Sequence, residues 1–206
     1  VEVFNTDKEE LDITETDEVL HFGEINRPNV IINCAAVTDT ALCEENPELA
    51  FRVNALGARN LSIVAQKIGA KFVQLSTDDV FDGLSQKPYT EFDDTNPGTV
   101  YGKSKRAGEN YVKEFTSKHF IVRSNWVYGS GKNFVNTVLE AAKNGEELTV
   151  ASDQMGSPTS AKDLARIILY LIETNEYGTY HATCKGACSR YEFAQEILKL
   201  SGQTLK

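Results

Sequence analysis

The chain carries a continuous apolar run at Val30-Ile31-Ile32-Asn33-Cys34 and a second one at Lys71-Phe72-Val73-Gln74-Leu75-Ser76. Runs of this kind are typical of strands that are covered on both faces, as in a parallel sheet. Between them, the stretch from Pro47 to Ile68 predicts a helix, because proline suits the first turn, the apolar residues lie near one stripe, and Gly69 ends it. This strand–helix–strand order is the unit from which parallel α/β sheets are built.

The same alternation continues through the rest of the chain. Further predicted strands are Val1–Phe4, His119–Arg123, Glu147–Val150 and Tyr177–Ala182. Further predicted helices are Thr14–Ile25 with Thr14 as N-cap, Tyr101–Phe115, Asn133–Lys143, Lys162–Glu173, and Ser189–Leu200 with Ser189 as N-cap. We therefore predict an α/β fold with a Rossmann-like, doubly wound parallel sheet. Ligands of such sheets bind at the carboxyl ends of the strands, which here are followed by residues 35–38, 77–79 and 124–126.

Composition narrows the class of protein. The 206 residues include 21 Lys and Arg against 30 Asp and Glu, a net charge of −9, which argues against a nucleic-acid groove. No apolar run approaches the roughly 20 residues that span a bilayer, so no membrane partner is predicted. The four cysteines form no CxxC pair and only three histidines are present, so we predict no zinc site and a reducing, cytoplasmic setting.

The sequence Tyr101-Gly102-Lys103-Ser104-Lys105 places a tyrosine and a lysine four residues apart at the start of a predicted helix. Such residues share one helix face, and an ammonium ~4 Å from a phenolate at an effective dielectric of about 20 attracts it by about 4 kcal/mol. This predicts a tyrosine pKa lowered toward neutrality, where general acid–base catalysis is efficient. Tyr and Lys at this spacing are also common on exposed helices. Ser76-Thr77, at the end of the preceding strand, adds a hydroxyl and makes a catalytic site the more specific interpretation.

A set of motifs, in order along nearly the whole chain, resembles the dTDP-4-dehydrorhamnose reductases, which are extended short-chain dehydrogenase/reductases. The motifs are Asn33-Cys34-Ala35-Ala36, residues 53–60, Ser76-Thr77-Asp78, Val80-Phe81-Asp82-Gly83, residues 101–105, Trp126-Val127-Tyr128-Gly129 and Asp153-Gln154-Met155-Gly156-Ser157-Pro158-Thr159. The last of these discriminates best from relatives. The first strand, the Gly-x-x-Gly-x-x-Gly turn and the C-terminal part of the family's substrate region have no counterpart here, so we expect a chain truncated at both ends.

The resemblance implies an NADPH- or NADH-dependent reduction of the 4-keto group of dTDP-4-dehydrorhamnose to dTDP-rhamnose. Hydride would come from the nicotinamide and the proton from Tyr101. Residues 1–146 would form the NAD(P)-binding domain, without its first strand and glycine turn, and residues 147–206 part of the sugar-nucleotide-binding region. Some members of the family carry Mg²⁺ at a dimer interface, so Mg²⁺ and a homodimer are further expectations, although no metal ligand is assigned.

The resemblance also implies a role for each matched position. The catalytic residues would be Thr77, Tyr101 and Lys105, with Tyr101 and Lys105 also binding the cofactor. The other cofactor-binding residues would be Asp12 and Ile13 at the adenine, and Cys34, Ala35 and Ala36 at the nicotinamide. Substrate contacts would come from Thr77, Asp78, Asp79, Trp126, Gln154, Gly156 and Ser157.

Several positions depart from the family pattern or permit a second interpretation. Asp79 stands where the family usually has tyrosine, which leaves the identity of the keto sugar open. Asp78 and Asp79 would also suit a sugar-nucleotide 4,6-dehydratase that splits acid and base roles between two carboxylates. A non-catalytic dinucleotide-binding regulatory subunit is the other alternative, against which the retention of the three catalytic positions argues. Asn54 is interpreted as a residue that fixes backbone within the sheet, and Trp126 as either a core aromatic or a platform for the sugar.

Overall fold

A computed structural model describes residues 2–203 of the chain. The strands are β1 (Val30–Asn33), β2 (Lys71–Thr77), β3 (His119–Ser124), β4 (Val127–Tyr128), β5 (Met155–Gly156), β6 (Thr159–Ser160), β7 (Gly178–His181) and β8 (Cys188–Ser189). The α-helices are α1 (Thr16–Asn26), α2 (Thr40–Glu45), α3 (Pro47–Phe51), α4 (Ala58–Ile68), α5 (Val100–Phe115), α6 (Phe134–Asn144), α7 (Ala161–Glu173) and α8 (Arg190–Ser201). A π-helical segment (Arg52–Gly57) and a 3₁₀ turn (Asp78–Val80) complete the described elements.

The contacts divide the chain into two units. The first unit comprises the chain up to Arg123 together with Tyr170–His181, and the second comprises Ser124–Leu169 together with the chain from Ala182 onward. The chain therefore passes between the units three times, which no single boundary in the sequence can describe. The assignment of residues 1–146 to the cofactor and 147–206 to the substrate stays a prediction about function.

The first unit is built on a four-stranded sheet with the order β1-β2-β3-β7. β1 pairs in parallel with β2, and β3 in parallel with β7, which confirms the predicted α/β fold with a parallel sheet. Phe72 and Val73 are both completely buried, although neighbouring residues of a strand point to opposite faces. The sheet is thus covered on both faces, and residues of α1, α4 and α5 supply one core cluster with Phe72 and Ile121.

The helix predicted from Pro47 to Ile68 is interrupted by the π-helical segment, so α3 and α4 are separate helices. The apolar stripe of the sequence continues across this segment, and therefore gave no sign of the change in hydrogen bonding. The predicted end is confirmed, because Gly69 adopts the left-handed conformation with φ 76° and its N–H closes the last turn. α2 was missed by the sequence prediction, although the Asp39 side chain accepts from the Leu42 N–H as an ordinary N-cap.

Three other predicted elements need correction. α1 begins at Thr16 after Glu15, because both the backbone and the hydroxyl of Thr14 donate to the Asp12 carboxylate and Thr14 therefore does not cap the helix. The predicted strand Glu147–Val150 is wrong, since Leu148 and Val150 pack against helical residues of a core cluster without forming a ladder. Residues 2–4 form no strand, and Val1 lies outside the described residues.

The second unit contains two small sheets and a helical core. β4 pairs in parallel with β6, and β5 pairs antiparallel with β8. Val138 of α6 and Ala194 and Ile197 of α8 form the buried centre. α8 begins with a capping box, in which the Ser189 hydroxyl accepts from the Glu192 N–H and the Glu192 carboxylate accepts from the Ser189 N–H. The predicted cap at Ser189 is confirmed.

Candidate active site

The start of α5 lies directly against the end of β2. Thr99 caps the helix by accepting from the Gly102 N–H at 3.0 Å. A Cβ on Gly102 would lie 2.1 Å from the carbonyl oxygen of Asp79, so only glycine permits this approach. The close contact brings Tyr101, in the first turn of α5, beside the residues that follow β2.

Tyr101 forms a side-chain hydrogen bond with Thr77, the last residue of β2. The Thr77 hydroxyl also accepts from the Asp79 N–H at 3.2 Å and donates to the Asp78 carboxylate at 3.2 Å. Thr77 is buried and Tyr101 is half-buried. The structure therefore brings together two hydroxyls that the sequence pattern grouped as candidates for one substrate oxygen.

The ionisation of Tyr101 and Lys105 differs from the sequence-based expectation. Burial raises the pKa of Tyr101 to about 12, with a smaller opposing effect of the Thr77 hydrogen bond and further raising by the Asp79 and Asp78 charges. Burial lowers the pKa of Lys105 to about 8, against which the Glu109 charge acts. The Lys105 ammonium donates to the Leu75 carbonyl at 2.8 Å, which holds it on β2. The predicted lowering of the tyrosine pKa is thus wrong for this structure, and the phenol is protonated at neutral pH.

Asn54, in the π-helical segment, connects the loop after β1 with α5. Its amide oxygen accepts from the Val37 N–H at 2.8 Å, and its amide nitrogen donates to the Val37 carbonyl at 3.0 Å and to the Ser104 hydroxyl at 2.9 Å. Ser104 in turn donates to the Tyr101 carbonyl at 2.7 Å. Asn54 thus fixes backbone, but that of the loop after β1 and not that of the sheet, so the interpretation holds only in part, and its link to the tyrosine-bearing helix was missed. A buried asparagine within an apolar helical stripe was the available signal.

The remaining cofactor candidates lie in two places. Cys34 and Ala35 are exposed and Ala36 is half-buried, directly after β1. Burial raises the pKa of the Cys34 thiol, which the Lys105 charge opposes. Asp12 accepts from the backbone and hydroxyl of Thr14, which lowers the pKa of its carboxyl group. Ile13 packs its side chain into the core against Gly57, where a Cβ would lie 2.5 Å from Cδ1 of Ile13. The role of these residues at a cofactor stays a prediction.

In the second unit, Trp126 and Gly156 form a close pair. Trp126 has φ 43°, a left-handed backbone that is rare for a bulky residue and is found mainly where the surrounding structure enforces it. A Cβ on Gly156 would lie 2.6 Å from the Trp126 indole. The Arg190 guanidinium lies 3.8 Å from the centre of the same ring, and the sequence pattern does not predict this contact.

The other two candidates in this unit are Gln154 and Ser157. Gln154 is exposed, and its carbonyl accepts from the Arg190 N–H at 3.1 Å. The Ser157 hydroxyl donates to the Gly186 carbonyl at 2.6 Å. Both residues therefore hold neighbouring backbone within the unit, and their contact with a nucleotide stays a prediction.

Across residues 2–203, no three His, Cys, Asp or Glu side chains form a group that could hold a metal ion. Within the same residues, no helix combines the length and the apolar character needed to cross a membrane.

Comparisons with known proteins agree on one family. Residues 1–205 match the family model described as "RmlD substrate binding domain". The spore coat polysaccharide biosynthesis protein SpsK of Bacillus subtilis (strain 168) is 41% identical, over 98% of this chain and 71% of that protein.

Two solved structures of dTDP-4-dehydrorhamnose reductases superimpose on the whole chain. The structure from Clostridium acetobutylicum gives a TM-score of 0.97 at 50% identity and is itself covered over 73% of its length. The structure from Bacillus anthracis, in complex with NADP, gives 0.96 at 44% identity and is covered over 74%.

Proposed function

The chain belongs to the RmlD substrate-binding-domain family, and on this basis we propose that it reduces the 4-keto group of dTDP-4-dehydrorhamnose with NADPH, which gives dTDP-rhamnose. The proposal depends above all on the side chains gathered at the carboxyl end of β2. Tyr101 hydrogen-bonds Thr77 there, and Lys105 is held one helical turn further along α5. Relatives with the same fold and 44–50% identity are named as reductases of this class.

The residues around this corner fit a nicotinamide nucleotide. Tyr101 and Lys105 provide a hydroxyl and an ammonium, which suit the hydroxyls of a ribose. Cys34, Ala35 and Ala36 have small side chains with exposed surface, which leaves room for a flat ring. The Bacillus anthracis relative was solved with NADP, which favours NADPH over NADH here. When bound, NADPH supplies the hydride for the carbonyl carbon.

The chain's own residues supply the proton and orient the sugar. The Tyr101 phenol, protonated because burial raises its pKa to about 12, donates its proton to the C4 oxygen as negative charge develops there. The Thr77 hydroxyl, which donates to the Asp78 carboxylate in the free protein, turns its proton to the same oxygen when the substrate binds. Lys105 in its charged form stabilises the phenolate that remains after proton transfer. The attraction between ammonium and phenolate that the Tyr-x-x-x-Lys spacing predicts therefore acts after the proton has left.

Substrate selection is proposed for the remaining candidates. Asp78 and Asp79 follow Thr77 directly, and Asp79 places a carboxylate where relatives of this class usually have a phenol. Trp126, Gln154, Gly156 and Ser157 are proposed to contact the sugar and the nucleotide. We place the protein in the cytoplasm and propose a homodimer. Mg²⁺ stays an expectation from the resemblance, and no step of the reaction uses it.

A direct assay distinguishes the reductase from the dehydratase. The purified protein is incubated with NADPH and dTDP-4-dehydrorhamnose, and NADPH absorbance is followed. A parallel reaction contains dTDP-glucose without NADPH, and the formation of a keto sugar is followed. We expect NADPH loss in the first reaction and no product in the second. Keto-sugar formation in the second reaction, without NADPH loss in the first, would contradict the proposal.

A further inference from the structure

α5 and the neighbouring strands enclose an ion pair that the proposed reaction does not use. Arg123 of β3 donates through Nη2 to Glu109 Oε2 at 2.7 Å and through Nε to Glu109 Oε1 at 2.9 Å. The Glu109 side chain is 1% exposed and the Arg123 side chain 4% exposed. The Ser76 hydroxyl also donates to Glu109 Oε1, at 2.6 Å. Glu109 thus receives three hydrogen bonds from two strands.

Glu109 belongs to a set of contacts between α5 and β2. Tyr101, Lys105 and Glu109 follow each other at intervals of four residues and therefore share one face of the helix. Tyr101 bonds Thr77, Lys105 bonds the Leu75 carbonyl, and Glu109 bonds Ser76. Three successive residues of β2 are held by three successive turns of α5, and Glu109 holds the residue just before Thr77.

The charges around Lys105 come from several elements. Glu109 lies on the same helix and favours the charged ammonium, as does a thiolate at Cys34 after β1. Tyr101 lies one turn away on α5. Beyond Glu109 stands Arg123, whose Nη1 lies 3.4 Å from Nε2 of His181 on β7. Glu91, which accepts from the His181 N–H, is the next carboxylate beyond that histidine.

We propose that Glu109 is a positioning residue of the reduction, which keeps the Ser76–Thr77 end of β2 and the Lys105 ammonium in place for Tyr101, and that Arg123 holds Glu109 for this purpose. The proposal rests on the proposed function of the Tyr101 site. A buried ion pair is a poor way to gain stability, because apolar side chains of similar size often serve as well or better. Glu109 lies one helical turn after Lys105 on α5, and it accepts a hydrogen bond from Ser76, the residue before Thr77. Stability alone would not require the carboxylate to lie next to both of these residues.

The test compares two variants with a matched control. Glu109→Gln removes the carboxylate charge and leaves Arg123 buried without its ion pair, so the double variant Glu109→Gln/Arg123→Met is made as well to preserve the fold. Glu114→Gln makes the same chemical change at an exposed position of the same helix. Melting temperature, kcat, KM and the pH profile of NADPH-dependent reduction are measured for each.

We expect the double variant to melt near the wild type and to lose at least 10-fold in kcat, with KM within about 3-fold. The basic limb of its pH profile moves to lower pH, because the charged form of Lys105 loses its carboxylate neighbour. The shift is larger in Glu109→Gln alone, because the double variant also removes the Arg123 cation, which disfavours the ammonium. Glu114→Gln matches the wild type in every measurement. A folded double variant with wild-type kcat and pH profile would show that the pair serves the fold alone.

A second readout does not depend on turnover. The ¹³Cε resonance of Lys105 is titrated in protein labelled at lysine and assigned by its loss in Lys105→Met. We expect its titration to move to lower pH in the double variant and to stay in place in Glu114→Gln. If the wild type reduces no dTDP-sugar but this shift occurs, the proposed function is wrong, whereas the interaction of Glu109 with the Lys105 ammonium is confirmed. An unmoved Lys105 titration in a folded double variant overturns the inference.

Discussion

The surroundings of Tyr101 in the first unit and of Trp126 in the second are held together by different forces. Around Tyr101, buried polar groups such as Asn54 and Glu109 fix neighbouring elements through hydrogen bonds of 2.6–3.0 Å. In the second region, the Phe193 ring stacks on Trp126 with ring centroids 6.3 Å apart and on Phe134 with centroids 5.6 Å apart. The Arg190 guanidinium lies over the Trp126 and Phe134 rings. Directional bonds specify positions closely, whereas ring packing tolerates small shifts. We therefore expect chemistry to depend on the first region and substrate fit on the second.

The largest effect is expected from Tyr101→Phe. The phenylalanine keeps the ring in place but has no proton to donate, so kcat falls by about 100-fold or more. Binding of NADPH, measured by calorimetry, stays within a few-fold, because only one hydroxyl is lost. Turnover unchanged from the wild type would show that Tyr101 does not donate the proton. It would also contradict the expectation that chemistry depends on the first region and substrate fit on the second.

The next largest effect is expected from Asn54→Leu. Leucine of similar size leaves the Val37 N–H without its partner and takes one hydrogen bond each from the Val37 carbonyl, which still accepts from Cys43 Sγ, and from the Ser104 hydroxyl, which still donates to the Tyr101 carbonyl. An unsatisfied buried group costs about 1–3 kcal/mol. We expect a loss of at least about 2 kcal/mol in the free energy of unfolding, measured by urea denaturation. Asn60→Leu, which removes another buried asparagine amide, provides a comparison away from α5. It should destabilise the protein with a smaller loss of kcat than Asn54→Leu, and equal losses of kcat would argue against the special link to Tyr101.

A smaller effect is expected from Gly156→Ala in the second region. The added methyl group would meet the Trp126 indole at 2.6 Å, and such overpacking costs about 1–3 kcal/mol. Trp126 is the one tryptophan of the chain, so tryptophan fluorescence reports the surroundings of this one ring. We expect a shifted emission maximum and a raised KM for the dTDP-sugar, with kcat changed by less than about 3-fold. Gly98→Ala, where no atom lies within 4 Å, is the control and should leave emission unchanged.

The smallest effect is expected from Arg190→Met. The variant keeps the stem of the side chain on the Trp126 ring and removes the guanidinium, which costs about 0.5–1 kcal/mol at a partly exposed contact. Urea denaturation followed by Trp126 fluorescence measures it. A loss above about 3 kcal/mol would show that the second region depends on this cation as strongly as the first depends on its buried polar groups.

The two regions also differ in how far the sequence predicted them. The strands of the first unit follow from apolar runs such as Lys71–Ser76, and the Tyr-x-x-x-Lys spacing placed Tyr101 and Lys105 on one face of α5. The Glu109–Arg123 pair was not predicted, because it joins a helix to a strand through side chains alone. The π-helical turn at Asn54 was not predicted, because the apolar stripe continues across it. In the second unit, β4, β5, β6 and β8 have two residues each, too few for a periodic pattern. The predicted strand at Glu147–Val150 failed because its apolar side chains pack against helices.

The central claim is that hydride reaches C4 of the sugar while Tyr101 supplies the proton. It is tested most directly by incubating the protein with dTDP-4-dehydrorhamnose and NADPH that carries deuterium at the transferred position of the nicotinamide. The product is examined by NMR and mass spectrometry, for the wild type and for Tyr101→Phe. We predict one deuterium on C4 of dTDP-rhamnose with the wild type and at least a 100-fold slower appearance of that product with Tyr101→Phe. Product without deuterium at C4, or equal rates for the two proteins, would contradict the account.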